Sequence, residues 1–235
     1  MSKLAKWIVQ TQANDGKFAI HKQIYPNGKI SEFISGYYPG EAILALLRLY
    51  NIDSNPQWLN TADKAAQYLI LKRDKGLQIS KLPHDHWFLY ALNELYRLRS
   101  RKIFLKHAAK IATAIIQKQN RNPEYPDWMG SYYRPPRSAS TAARSEGLTA
   151  TYKLMRDYGY PALANEILKT VMLGVKFQFQ LQFRPENALY LRNPQTVIGG
   201  FMRSMDNYSI RIDYVQHNIS SFLLLYHLLR DTPQV

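Results

Sequence analysis

Cysteine is absent from the 235 residues of this chain. Its absence excludes disulfide bonds, metal sites built on thiolates and a cysteine nucleophile. Acidic residues are also few, since 17 Asp and Glu stand against 31 Lys and Arg, and the net charge is +14 at pH 7. A surplus of this size favours anionic partners, such as an acidic polysaccharide, a phosphorylated substrate, a nucleic acid or a membrane surface.

Long apolar runs are missing as well. No uninterrupted run approaches the ~20 residues that cross a bilayer, and the first ten residues are too polar for the core of a signal peptide. We therefore expect no transmembrane segment and a cytoplasmic protein. The sequence also lacks a phosphate-binding glycine loop, a dinucleotide fingerprint, a Gly-x-Ser-x-Gly elbow and the kinase motifs. No cofactor is predicted.

Helical patterns of two kinds alternate along the chain. Four amphipathic segments are followed in turn by four segments that are richer in large apolar residues. The amphipathic segments are 4–12, 62–73, 107–119 and 167–182, and the more apolar ones are 40–50, 85–97, 140–158 and 213–230. This alternation predicts stacked helical hairpins around a continuous core, in one all-α domain over residues 1–235 or in the C-terminal part of a larger protein.

Long connections lead from each amphipathic segment to the more apolar one that follows. They cover approximately residues 13–39, 74–84, 120–139 and 183–211, and they are rich in Pro, Gly and Tyr. We expect them to be ordered and to include short strands. Long ordered connections at one end of a helical scaffold often carry function, although they could also be plain loops between helices.

The last helical segment carries one polar stripe. Asp213, Gln216, His217 and Ser220 are spaced i, i+3, i+4 and i+7, so they share one face of a helix that is otherwise mostly Ile, Val, Phe, Leu and Tyr. The composition predicts a helix buried nearly all round. Buried polar groups are costly unless they are paired, so the stripe indicates an internal site. The i, i+4 couple of Asp213 and His217 could instead be a structural hydrogen bond.

The pattern resembles that of the α/α-toroid proteins. The phrase Gly36-Tyr-Tyr-Pro-Gly-Glu-Ala-Ile-Leu-Ala-Leu46 is similar to the start of an inner toroid helix, and Trp7-Ile-Val-Gln-Thr-Gln-Ala-Asn-Asp-Gly-Lys-Phe18 resembles an outer repeat. The group includes six-hairpin glycosidases, sugar epimerases, polysaccharide lyases and terpene-cyclase toroids. Such toroids close with more hairpins than the four counted here. The ring is therefore partial, completed by a partner domain, or contains helices hidden in the long connections.

The resemblance implies that the starts of the more apolar helices meet at one mouth. The catalytic candidates are Asp213 and His217, with Glu41 and Asp85 as acids. The candidates for substrate binding are Tyr38, His86, Trp87, Arg144, Glu146, Arg211 and Gln216. Carboxylates and imidazoles suit acid–base chemistry on sugars, arginine grips carboxylates, and Tyr38 and Trp87 would stack on sugar rings. Glu41 and Asp85 could also act simply through the helix dipole or as a helix N-cap.

Metal ligands are present but form no recognised motif. His84 and His86, with Asp213 and His217, offer the ligand types of Zn²⁺ or Mn²⁺, yet no His-Glu-x-x-His occurs. We predict no metal site. The leading hypothesis is a carbohydrate-active enzyme, whether hydrolase, lyase or epimerase, that acts on an anionic sugar. The alternative is a non-catalytic helical-repeat module that binds an acidic polymer or a partner protein, and a nucleic-acid partner ranks below both.

Overall fold

The computed structural model describes residues 2–230, which are mostly helical. Nine α-helices lie within this range: α1 (Ser2–Gln10), α2 (Tyr38–Asp53), α3 (Pro56–Tyr68), α4 (His86–Leu98), α5 (Lys102–Lys118), α6 (Ser138–Asp157), α7 (Pro161–Gln180), α8 (Pro185–Ala188) and α9 (Ile212–Arg230). The predicted all-α class is confirmed, and each of the eight predicted segments overlaps an α-helix. The short α8 is the additional one.

Local sequence explains several helix ends. α3 begins at Pro56, directly after Asn55, whose side chain accepts a hydrogen bond from the Gln57 N–H, so the helix starts with an N-cap and a proline whose missing N–H costs nothing there. α2 ends before Ser54, which is left-handed at φ 54°. After α3 the chain continues as a π-helical turn over Leu69–Arg73.

The long connections contain the short strands that the sequence predicts. Strands β1 (Met202–Ser204) and β2 (Asn207–Ile210) pair antiparallel, with Met202 opposite Ile210. An isolated bridge joins Gln12 and Phe18, and a second joins Gln23 and Ile30. No helix within residues 2–230 combines the length and the apolar character needed to span a membrane.

The chain divides into two compact units, the first ending at Ala114 and the second beginning at Ile115. In the first unit, α2 packs against α3 and α4. Its core includes large side chains of α2 and α4 and both large and small ones of α3: Ile43, Leu47, Trp58, Ala62, Ala66, Phe88, Leu92 and Leu95. The single domain that we expect from the sequence stays a prediction.

In the second unit, α6 packs against α7 and α9. Leu148 and Met155 of α6 are buried together with Ile167 and Val171 of α7. A second cluster contains Phe177, Leu181, Phe183 and Met202, with Leu191 and Val197 packed on it. This cluster holds the loop after α7 and the β-hairpin in place, so the connection that leads to α9 is ordered.

The environment of α9 corrects one prediction. The helix is not buried nearly all round, because its buried face is Tyr214, Asn218, Ser221, Leu225 and Leu228. Large apolar residues elsewhere on the helix are exposed, among them Ile219, Leu223 and Tyr226. Gln216 is exposed too. The predicted polar stripe therefore runs beside the buried face and does not coincide with it.

Candidate functional site

An acid–imidazole pair joins α6 to α9 in the second unit. His217 Nδ1 lies 3.0 Å from Glu146 Oε2, and the side chains are 17% and 2% exposed, respectively. Because a carboxylate oxygen accepts, the ring donates its Nδ1–H and Nε2 becomes the atom that exchanges a proton. The sequence singles out both residues, and the structure places them in direct contact.

Small polar residues at the start of α6 allow α9 to approach closely. Asn218 is fully buried and donates to Ser138 Oγ at 2.6 Å and to the Tyr214 carbonyl at 2.7 Å. Ser138 is itself fully buried at the first position of α6. This link fixes the rotation of α9 against α6, so that His217, one residue before Asn218, meets Glu146.

The electrostatics of His217 follow from that pair. The hydrogen bond to Glu146 raises the pKa of His217, partial burial opposes the shift, and the negative charges of Glu146 and Asp213 add to it. The imidazolium form is therefore stabilised, and the ring can accept a proton at Nε2 and hold it to a higher pH than an imidazole without such a partner. Glu146 orients the ring in the way that a carboxylate positions a catalytic histidine.

Asp213 has a different partner from the one predicted. Its carboxylate accepts two hydrogen bonds from Arg211, at 2.9 Å and 2.6 Å, and these bonds lower the pKa of Asp213. An ionised carboxylate held by a guanidinium is a poor general acid. The Arg211 guanidinium also lies 4.7 Å from the Tyr214 ring centroid. Asp213 thus influences His217 by its charge, while Glu146 makes the hydrogen bond.

Arg144 lies among aromatic rings at the start of α6. It donates to the Tyr133 hydroxyl at 2.9 Å and to the Ser140 carbonyl at 2.8 Å, and its guanidinium lies 5.1 Å from the Tyr132 ring centroid and 4.8 Å from that of Tyr133. Tyr132 is buried, and burial raises the pKa of its hydroxyl. Arg144 is thereby preorganised, as an anion-binding arginine needs to be.

In the first unit, Asp85 is the N-cap of α4. Its side chain accepts from the Phe88 N–H at 3.0 Å and it is 2% exposed. Burial raises the pKa of Asp85 to about 7, the Phe88 hydrogen bond and Arg73 oppose this, and the charges of Glu41 and Asp74 add to it. The predicted N-cap role is therefore observed, and in addition the group titrates near neutral pH, which suits a general acid.

Glu41 and Trp87 line one shallow pocket of about 330 Å³ together with Leu44, Ala45 and Arg48. Burial of part of the Glu41 side chain raises its pKa, although the residue is exposed overall. The pocket offers an aromatic ring, a carboxylate and a guanidinium, which are the groups that a sugar ring requires. Both candidate residues at this pocket come from the predicted set.

Tyr38 does not share a platform with Trp87. The Tyr38 ring packs 5.8 Å from Phe18 and 5.1 Å from His21, and burial raises the pKa of its hydroxyl to about 12. Trp87 instead lies 4.8 Å from the buried His86 ring, which also contacts Tyr37 at 5.9 Å. The two residues predicted to stack on sugar rings therefore contact different neighbours within the first unit.

Some polar residues of these surroundings escaped the sequence analysis. The carboxylate of the buried Asp74 accepts hydrogen bonds from His107 Nε2 at 2.9 Å and from Nε and Nη2 of Arg73. Asn218 was also missed. Its spacing of four from Tyr214 and seven from Leu225, both of which are buried, places it on the buried face, so a helical wheel phased on Tyr214 could have found it.

Comparison with models of known protein families gives no match for this chain, and comparison with curated proteins gives none either.

Proposed function

We propose that the protein is a carbohydrate-active enzyme that acts on an anionic sugar or polysaccharide by acid–base chemistry. The observation that carries the proposal is the 3.0 Å contact between His217 and Glu146. A mostly buried imidazole, oriented by a more deeply buried carboxylate, is a group suited to moving protons at carbon or oxygen. The net charge of +14 supports an anionic substrate.

Among the three predicted reaction types, elimination and epimerisation fit the second unit better than hydrolysis. Hydrolysis of a glycosidic bond uses two carboxyl groups that flank the bond, but here Glu146 faces an imidazole and Asp213 is held by Arg211. Elimination and epimerisation both begin with abstraction of the proton next to a uronate carboxylate, which needs a base and a cation that holds the carboxylate. Elimination then expels the glycosidic oxygen from the β carbon as the double bond forms, whereas epimerisation returns a proton to the opposite face. His217 would be the base, and Arg144 the group that binds the carboxylate.

We also propose that the helices form an α/α toroid or part of one. Eight predicted helices in alternating classes resemble an α/α toroid, and sugar-active toroids place their sites where inner helices begin. Within each unit, the starts of two such helices meet: Asp85 of the α4 N-cap lies beside Gly40 of α2, and α6 meets α9 through Ser138 and Asn218. The Trp87 pocket would hold a sugar ring by stacking.

Turnover of uronate-containing oligosaccharides tests the proposal. Elimination would appear as ultraviolet absorbance of an unsaturated product, epimerisation as deuterium uptake from solvent at the carbon next to the carboxylate, and hydrolysis as new reducing ends. We expect His217→Gln to lose at least about 100-fold in kcat. The matched control is His227→Gln, which makes the same change at an exposed histidine in the last turn of the same helix and should keep activity. Full activity in folded His217→Gln would refute the role of this pair.

The alternative is a non-catalytic module that binds an acidic polymer or a partner protein. The Arg144–Tyr133 and Arg211–Tyr214 pairs favour it, because arginine and aromatic rings together bind charged, ring-containing chains, single-stranded nucleic acid included. A partner domain that completes the ring would cover apolar residues such as Leu223 and Tyr226, which are exposed on α9. Thermal stabilisation by every polyanion that disappears with added salt would reflect the net charge alone and, without turnover of any uronate, would rank this alternative above the enzyme.

A further inference from the structure

A cavity of about 390 Å³ in the first unit takes no part in the chemistry described above. Its volume is in the lower range of small-molecule sites. One wall comes from the connection between α1 and α2, the other from α3 and the π-helical turn that follows it. Most of the lining is apolar, with Phe18, Ile34, Pro39, Ala65, Leu69 and Pro83.

The lining of the cavity also includes two cationic residues, Arg73 and Lys17. The Asp74 carboxylate holds Arg73 through Nε at 2.7 Å and Nη2 at 3.0 Å, and His107 holds the other side of Asp74. No hydrogen bond from Arg73 Nη1 is seen within residues 2–230. The guanidinium is therefore fixed in place while Nη1 keeps donors for a ligand.

The π-helical turn accounts for the position of Arg73. A π-helical turn adds a residue to the repeat and shifts the side chains after it, and such turns occur frequently at functional sites. Here the turn runs over Leu69–Arg73, and both of its end residues line the cavity. One apolar and one cationic residue of the lining thus come from the same irregular turn.

The opposite wall is held by His21. Its Nε2 lies 3.0 Å from the Phe18 carbonyl, and its Nδ1 accepts from the Ser35 N–H at 3.0 Å. Acceptance at Nδ1 requires the neutral ring with its proton on Nε2. One side chain thereby ties both ends of the connection together, so this wall of the cavity is preformed.

We propose that this cavity binds a small amphipathic anion, with an aryl or branched-alkyl body in the apolar part and a carboxylate or phosphate head at Arg73 and Lys17. The body would displace water from Phe18, Ile34 and Leu69, and the head would meet two cations. None of the residues that line the cavity is among those of the proposed sugar chemistry, so the proposal does not rest on that function.

Calorimetric titration with three probes of similar size tests the site. Phenylacetate and phenyl phosphate carry the anionic head, and benzyl alcohol is the neutral analogue. We expect at least one anion to bind about tenfold more tightly than the alcohol, and the tighter anion identifies the head group. Equal binding of all three probes, or binding of neither anion at roughly millimolar concentration, would overturn the proposal.

Variants test whether the anion binds in this cavity or at another basic part of the surface. A Cβ added at Gly36 meets no atom within 4 Å, so Gly36→Leu should fill part of the cavity and weaken anion binding at least about tenfold. Ala65→Leu fills it from α3 and gives a second test if the first variant misfolds. Lys17→Gln should weaken binding about fivefold, whereas Lys29→Gln, at an exposed lysine of the same connection, should not. Equal loss in both lysine variants would contradict a shaped site.

Discussion

The imidazole of His217 and the carboxylate of Glu146 are 71 residues apart in the sequence and 3.0 Å apart in the structure. The contact joins α6 to α9 beside the buried link between Ser138 and Asn218. It has consequences for stability as well as for chemistry, because the pKa of His217 is raised by its partner.

Stability should fall as pH rises through the titration of His217. Since the pKa of the folded protein lies above the ordinary value of 6.5, the protonated ring contributes stability that is complete below that pH and lost as pH rises through the folded-state pKa. Denaturant unfolding between pH 6 and 9 measures this slope. The difference between the wild type and His217→Gln isolates the contribution of the ring, and Gln216→Ala should retain the wild-type slope. An identical slope in His217→Gln would contradict the pairing.

Ionisation of Asp85 should reduce the stability of the protein as pH rises above about 4. Its pKa rises from 3.8 to about 7 on folding, so the ionised form is disfavoured, and the free energy of unfolding decreases from about pH 4 to pH 7. Asp85→Asn keeps an acceptor for the Phe88 N–H and removes the charge. We expect the variant to be more stable than the wild type at pH 8, by up to about 4 kcal/mol, and equal to it near pH 4.

The same variant, Asp85→Asn, tests the contributions of Asp85 to stability and to turnover separately. If Asp85 is the acid that the sequence predicts, Asp85→Asn gains stability and loses turnover, as groups strained for function do. Turnover of a uronate substrate and thermal unfolding, measured on one preparation, give the two readings. Gain of stability with full activity would leave Asp85 as an N-cap alone.

Asp74 should contribute much more to the free energy of unfolding than an exposed aspartate that also directly follows an arginine in the sequence. Burial raises the pKa of Asp74, but hydrogen bonds from His107 and Arg73 outweigh it, and the net shift is downward. Asp74→Asn leaves His107 and Arg73 without their anion and should cost about 3 kcal/mol at pH 7, with the cost shrinking as acid protonates the wild-type carboxyl. The control is Asp157→Asn in the exposed Arg156–Asp157 pair, which should cost less than about 1 kcal/mol. Equal costs would contradict the buried network.

Gly40 should not tolerate a side chain. A Cβ there would lie 2.6 Å from the Phe88 nitrogen and 2.8 Å from Asp85 Oδ1, so α2 can pack this closely on α4 only without one. Gly40→Ala should destabilise the protein by about 2 kcal/mol and shift the titration of Asp85. Gly36→Ala adds the same methyl group in open space and should leave the melting temperature nearly unchanged.

Most of the helices could be predicted because helical periodicity is a local property. The segment around Ala62 and Ala66 repeats its small residues at the spacing of one face, and α3 buries that face against α2. Boundaries were less exact, since the predicted segment 62–73 covers both the end of α3 and the π-helical turn. Departure from α-helical geometry depends on tertiary packing, which composition does not encode.

Which side chains form hydrogen bonds with each other could not be predicted in the same way. Asp213 and His217 share a helical face, which favours a pair along the helix, yet Arg211 binds Asp213 and Glu146 binds His217. The rotation of α9 is set by Tyr214, Asn218 and Leu225 facing inward. That rotation depends on how α9 fits against α6, so no pattern within α9 alone contains it.

The sequence by itself determined the all-α class, the order of eight helices, the cationic character and the set of polar residues from which a site could be built. These follow from spacing and composition, which act over one or two helical turns. The tertiary structure alone decided which of those groups meet, how deeply Glu146 and Asp85 are buried, and where the Arg73 cavity lies. Contacts between helices bring together residues that are far apart in the chain, and burial then alters their pKa values.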